Sequence, residues 1–265
     1  MIQITMDVKE ATMATEKSGT VGKALNLLTL LGEYPEGATA GQIADAVEYP
    51  FSTAYRLLNT LVETAFATYD PQDKHYRLGL RIYQLGQKVA HHRGFEGAAL
   101  PVLQQLTEST GESSILAVLD GDRFLTVHKV DGPQFRITTD PGDRGPLHTS
   151  SLGKVLLAFA DPTTRRHLLD TIDLTPRTEH SVTDRDELRR QVDAVQQQGW
   201  AGQSEENDVG MAAVAVPVLS PSNRLIAAVS LAAPLFRTDL EGLRQHVPEL
   251  HRAAATLALE LPIRT

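Results

Sequence analysis

The stretch Tyr49–Ala67, YPFSTAYRLLNTLVETAFA, decides how this chain is read. It opens on a helix breaker, Pro50, followed by two small hydroxyls, Ser52 and Thr53, that can cap a helix start. Ala54, Leu57, Leu58, Leu61 and Val62 then fall on one side of a helix. Thr53, Arg56, Asn59 and Thr60 fall on the other, at i, i+3, i+4 spacing. Ser, Thr, Asn and Arg on an open helix face are the residue types that read base edges and phosphates. Taken alone, an ordinary amphipathic helix with a solvated face is the simpler reading. The flanking sequence decides between the two.

Upstream, Val21–Leu31 places apolar residues at 21, 24, 25, 28 and 31 and predicts a helix with a wide buried face. The turn-forming run GEYPEG, residues 32–37, ends it. Thr39 then caps a short helix whose Ile43, Ala44 and Val47 face inward. Three helices, the second and third joined by a tight turn, form helix-turn-helix syntax. Downstream, ATYD and HYRLG are short strand-like runs around the turn Pro71-Gln72-Asp73-Lys74, and Tyr69 can meet Tyr76 across them. A hairpin directly after a recognition helix is a wing, and its tip carries Lys74, His75 and Arg77 toward a DNA backbone or minor groove. The expected DNA-contacting set is Thr39, Ser52, Thr53, Tyr55, Arg56, Asn59, Lys74, His75 and Arg77. Leu80–His92 follows as a lone helix with Ile82, Leu85 and Val89 in a stripe that a partner subunit would naturally cover. His91 and His92 point to different helix sides and make poor metal ligands.

Composition limits the alternatives. The 265 residues suffice for two domains. No cysteine is present, which excludes disulfides and thiol catalysis. No apolar run is long enough to span a bilayer, and the first residues lack a signal-peptide core, so a soluble cytoplasmic protein is expected. The net charge is −8, and residues 1–92 hold eight Lys and Arg against ten Asp and Glu, a net −2. DNA binding must therefore rest on a local basic stripe, doubled by dimerisation.

The second half alternates short strands and helices. Phe95–Thr110 reads as a helix ending near Gly111. Ser114–Leu119 and Arg123–Val130 read as a hairpin about Asp120-Gly121-Asp122, with Phe135–Thr139 a possible third strand. Ser150–Ala160, Thr163–Asp170 and Asp184–Gln198 read as helices. Trp200–Glu205, Met211–Leu219 and Arg224–Ala232 read as strands, and Asp239–Leu261 as a closing helix. Antiparallel strands with segregated helices give an α+β sensor-like domain. The helix opening at Ser150, Ser151, Leu152 and Gly153 offers free backbone N–H groups, two hydroxyls and a favourable dipole to an anion, although an ordinary N-cap accounts for the same residues. Ala213, Ser230 and Ala232 are small residues on neighbouring strands that either line a cavity or pack tightly.

The order of Thr39-Ala-Gly-Gln-Ile-Ala, Ser52-Thr-Ala-Tyr-Arg-Leu-Leu-Asn-Thr-Leu, His148-Thr-Ser-Ser-Leu-Gly-Lys-Val-Leu-Leu-Ala, Glu205-Glu-Asn-Asp-Val-Gly and Ala215-Val-Pro-Val resembles that of IclR-family transcriptional regulators, from about residue 20 to the end. The resemblance implies an N-terminal winged helix-turn-helix (19–79) after a loose tail (1–18), a linker helix (80–93) and a C-terminal GAF/PAS-like effector-binding domain with an antiparallel sheet (94–265). It implies a homodimer, or a dimer of dimers, on a palindromic double-stranded DNA operator, switched by a small carboxylic acid, with no cofactor. Its effector contacts fall on Ser150, Ser151, Leu152, Gly153, Gln203, Glu205, Ala213, Ser230 and Ala232. Members that bind small polar acids often carry Cys, an acid and Ser where this chain has Ala213, Gln203 and Ala232, so a larger or more apolar acid is expected here.

Two rival readings rest on single motifs. Ser151-Leu152-Gly153-Lys154 is formally the S-x-x-K of serine acyl enzymes, but no S-D-N or K-T-G element accompanies it. The acidic run Glu205, Glu206 and Asp208 reads as a loop or strand end more readily than as a metal site. A sensing module that never touches DNA is the third alternative.

Overall fold

A computed structural model describes residues 19–92, 97 and 99–261. Expectations for the tail 1–18, for residues 93–96 and 98, and for the side chains of His91 and His92 lie outside the described residues. The chain divides into two compact units, Met1–Val89 and Ala90–Thr265.

In the first unit, α1 (Thr20–Gly32), α2 (Ala40–Ala46) and α3 (Phe51–Glu63) precede a two-stranded antiparallel ribbon of β1 (Ala67–Asp70) and β2 (His75–Leu78). Leu27, Leu31, Ile43, Leu57, Leu58 and Tyr76 form its core. Burying each such leucine contributes about 1.5–3 kcal/mol. Thr39 makes a capping box: its oxygen accepts from Gln42 N–H while the Gln42 side chain accepts from Thr39 N–H at 2.9 Å. Ala38 exchanges both backbone hydrogen bonds with Tyr76, which extends the wing by one bridge. Ser52 and Thr53 do not cap α3, contrary to expectation. Pro50 occupies the N-cap position, its ring-fixed φ of −53° starts the helix one residue earlier, and no side chain caps it. The helix α4 (Leu80–His92) follows; Leu80, Tyr83, Leu85 and Val89 are exposed and Ile82 is half-buried.

The second unit is built on a six-stranded antiparallel sheet in the order β5-β4-β3-β8-β7-β6. Its strands are β3 (Ser113–Asp120), β4 (Arg123–Val130), β5 (Arg144–Pro146), β6 (Ala201–Ser204), β7 (Met211–Leu219) and β8 (Leu225–Pro234). Its helices are α5 (Ala99–Thr110), α6 (Ser151–Phe159), α7 (Pro162–Thr171), α8 (Arg185–Gln198), α9 (Leu240–Arg244) and α10 (Val247–Glu260). Strand alternation sorts the central hairpin by size. Val214, Val216, Val229 and Leu231 pack with α5 and α10, whereas Ala213, Ala215, Ala228 and Ala232 face α6 and α8.

Two expectations need correction. Residues 135–139 form no strand, only the single bridge Gly132↔Phe135. The Lys129 ammonium instead draws this segment into a loop, donating to Ile137 O at 3.1 Å and to Asp140 at 2.7 Å. The strand at the edge beside β4 is β5, where Gly145 passes the Phe124 ring so closely that an added Cβ would overlap it. The closing helix is also two helices: α9 ends at Arg244, and α10 restarts with Pro248 in its first turn, where no N–H is required.

Candidate functional sites

The open face of α3 presents Ser52, Tyr55 and Arg56 to solvent, with Thr53 half-buried. These are the expected reading residues, at the helix end that meets bases in helix-turn-helix proteins. Two expected contacts are committed elsewhere. Asn59 is half-buried, and its Oδ1 accepts from the Tyr76 hydroxyl at 3.2 Å, so it braces α3 against the wing. The Thr39 hydroxyl belongs to the capping box, because its short side chain reaches Gln42 before it could reach outward. In the wing, Tyr69 and Tyr76 pack at 4.7 Å between ring centres. Arg77 is hydrogen-bonded to Asp73, whose carboxyl is lowered to about 2, chiefly by that bond. His75 Nδ1 lies 3.3 Å from the same carboxylate. Lys74, at the tip with φ +60°, makes no ion pair among the described residues. Two of the three expected wing contacts thus face an internal acid.

The second site lies where the first turn of α6 meets the sheet. Ser150 is its N-cap: the hydroxyl accepts from Gly153 N–H at 3.0 Å and donates to Pro146 O at 2.8 Å. That hydroxyl commits its hydrogen and one lone pair to the fold. Ser151 and Leu152 are buried in the first turn, where helix N–H groups lack intrahelical partners. Gly153 has no room for a Cβ, which would fall 2.3 Å from Leu147 Cα. Gln203, Ala213 and Ala232 stand in one row across β6, β7 and β8, and α6 packs against all three strands. Ala213 and Ala232 each retain 9% of their surface, whereas Ala215 and Ala228 on the same face retain none. The residual exposure of this face therefore falls on the Ala213–Ala232 pair. Ser230, on this face and opposite Ala215, is 1% exposed and its Oγ has no partner among the described residues. An unmatched buried hydroxyl costs about 1–3 kcal/mol, which a ligand could recover. A separate cavity of about 360 Å³, lined by Phe159, Pro217, His251 and Ala254, shares none of these residues.

Glu205 is tied within its own loop. Its backbone is left-handed (φ +59°), and its carboxylate accepts from Gly210 N–H at 2.8 Å within the β6–β7 loop. Its neighbour Glu206 takes the inward place. Lys154 Nζ donates to both Glu206 oxygens at 2.6 and 2.7 Å, with the lysine almost wholly buried. Burial pushes the Lys154 ammonium down and the Glu206 carboxyl up from their ordinary values, against the attraction between them. The same loop is tied at several further points. Gln203 Oε1 accepts from Glu206 N–H (3.0 Å), and Thr178 and Ser181 donate to the carbonyls of Glu205 (2.6 Å) and Glu206 (2.7 Å). Thr149 donates to Asn207 Oδ1 at 3.0 Å. His148, buried beside this helix start, has its ring pKa lowered by burial and its Nε2 3.2 Å from Thr175 O. The Lys154–Glu206 pair was missed in the sequence. Its one signal was a lysine within the otherwise apolar run Leu152–Ala158, a charge that demands a buried partner. The same pairing leaves the S-x-x-K motif with a buried serine and a neutralised lysine, and the acidic run does not converge.

Known proteins resemble the chain along its whole described length. Residues 20–71 match the IclR helix-turn-helix domain and residues 87–259 match the bacterial transcriptional regulator IclR C-terminal domain. The regulator KdgR of Dickeya chrysanthemi is 29% identical over 255 residues, 96% of this chain and 83% of that protein. The probable transcriptional regulator SauR of Cupriavidus necator is 30% identical over 243 residues, 91% of this chain and 96% of that protein. Among solved structures, an IclR homologue of Microbacterium hydrocarbonoxydans complexed with 4-hydroxybenzoate superposes with a TM-score of 0.77 at 26% identity, covering 90% of this chain and 98% of that one. No helix among the described residues is long and apolar enough to cross a membrane. With both halves of the chain matched, the protein belongs to the IclR family of DNA-binding transcriptional regulators and is not an enzyme.

Proposed function

We propose that this regulator binds a palindromic operator as a homodimer in the cytoplasm and is switched by an organic acid with an apolar body. Ser52, Thr53, Tyr55 and Arg56 would contact the major groove and Lys74 the flanking phosphates. His75 and Arg77 would join them by exchanging Asp73 for phosphate. The stripe Ile82, Leu85 and Val89 on α4, of which Leu85 and Val89 are exposed, supports self-association, since an apolar helix face favours cover from a second subunit.

One observation carries the effector reading: the residual exposure of Ala213 and Ala232, beside the orphaned Ser230 hydroxyl and below the free N–H groups of Ser151 and Leu152. A carboxylate would meet those N–H groups and the Ser230 hydroxyl, and the alanines would leave room for a ring or acyl chain. The 4-hydroxybenzoate held by the Microbacterium homologue is an acid of this kind. A thermal-shift screen of benzoate, 4-hydroxybenzoate, pyruvate and glyoxylate on the full chain tests the class. The aromatic acids should stabilise the protein, by about 2.7 kcal/mol at a hundredfold excess over Kd. Strong, selective stabilisation by pyruvate or glyoxylate would sink it.

A further inference from the structure

The start of α3 carries a feature that the polar contacts leave unused. Phe51, its first residue, is 58% exposed, and Tyr55, one turn on, is 47% exposed. Their rings stack with centres 5.9 Å apart and planes 17° from parallel. Core packing does not explain a phenylalanine here, since the buried face is already supplied by Ala54, Leu57, Leu58 and Leu61. Two turns beyond Phe51, Asn59 accepts from Tyr76, which packs on Tyr69, so the wing braces the middle of the same helix.

Residues at the start of a recognition helix are those that meet base edges in the major groove. Among the groups displayed there, the thymine C5-methyl is the apolar one. Ser52 and Arg56, both exposed, lie along one flank of the two rings and supply polar contacts there. We propose that the Phe51–Tyr55 stack reads thymine, packing on a C5-methyl in each operator half-site, with Phe51 the residue that sets this preference. The proposal rests on the DNA-binding reading and adds to it a specific base and the group recognised.

The test uses the full chain and a randomised duplex library. The enriched duplex is then resynthesised with deoxyuridine for thymidine, which removes the methyl and keeps the base pair. Wild-type affinity should fall roughly fourfold per contacted methyl, about fifteenfold over two half-sites. Phe51→Ser should bind the two duplexes equally, and Phe51→Leu should retain part of the ratio. Because Phe51 is exposed, both variants should melt like the wild type. An enriched motif lacking thymine in each half-site overturns the proposal. So does equal wild-type affinity for the two duplexes, or a wild-type ratio in Phe51→Ser. A library that enriches no duplex would overturn the DNA-binding reading, and this proposal with it.

Discussion

The wing and the effector site each contain a prominent ion pair, and the two behave oppositely. Arg77 and Asp73 are each about a third exposed, four residues apart on one hairpin. Water screens them, and Arg77 can leave Asp73 for a phosphate with its charge solvated throughout. Lys154 and Glu206 lie 52 residues apart in sequence and are enclosed by α6 and the β6–β7 loop. Separating them would leave an uncompensated charge in the core. The exposed pair can exchange partners at little cost, whereas the buried pair fixes the β6–β7 loop against α6.

The largest expected effect is on the buried pair. Lys154→Met should destabilise the effector unit by about 3–5 kcal/mol in urea unfolding, because Glu206 is left alone. The double replacement Lys154→Met with Glu206→Leu should recover most of that loss, since burial already opposes both charges. Equal losses in single and double variants would break the comparison. Next comes Arg56→Ala, expected to weaken operator binding by about 1–3 kcal/mol, and more on the preferred sequence than on its variants. A uniform loss in a binding titration would make Arg56 a phosphate contact, the role proposed for Lys74. Thr39→Ala should lower the stability of the DNA-reading unit by about 1 kcal/mol through loss of the capping box, read as a lower midpoint of its unfolding transition. The smallest effect concerns pH. Asp73 is held at about 2 against an ordinary 3.8, so its contribution is complete above pH 3.8 and disappears as pH falls through about 2. An NMR titration of the Asp73 carboxyl should show this, and Arg77→Ala should return it toward 3.8.

Local patterns made most of the fold legible. The 3.6-residue stripe of Leu57, Leu58 and Leu61 and the alternation in Met211–Leu219 correspond to the observed α3 and β7. Pro248 did announce the restart of α10, although the apolar periodicity on both sides masked it. The rest depended on partners distant in sequence. Residues 135–139 are shaped by Lys129, Asn59 is claimed by Tyr76, and Lys154 by Glu206. In the row Gln203, Ala213 and Ala232, the alanines were legible as small residues that either line a cavity or pack tightly, and Gln203 entered only through the resemblance. No periodicity reveals that Ala213 and Ala232 keep open surface while Ala215 and Ala228 do not.

The strand order has a consequence for how the protein is made. The hairpins β3–β4 and β7–β8 close locally, but the sheet becomes continuous only when Ser113 pairs with Ala232, near the far end of the unit. Such distant closure is slow, because the chain between must lose its freedom first. The wing, by contrast, is complete at Leu78, and its unit is compact by itself. During synthesis the reader of DNA can therefore fold while the residues that would sense the effector are still leaving the ribosome. A regulator assembled in this order acquires its address before its control.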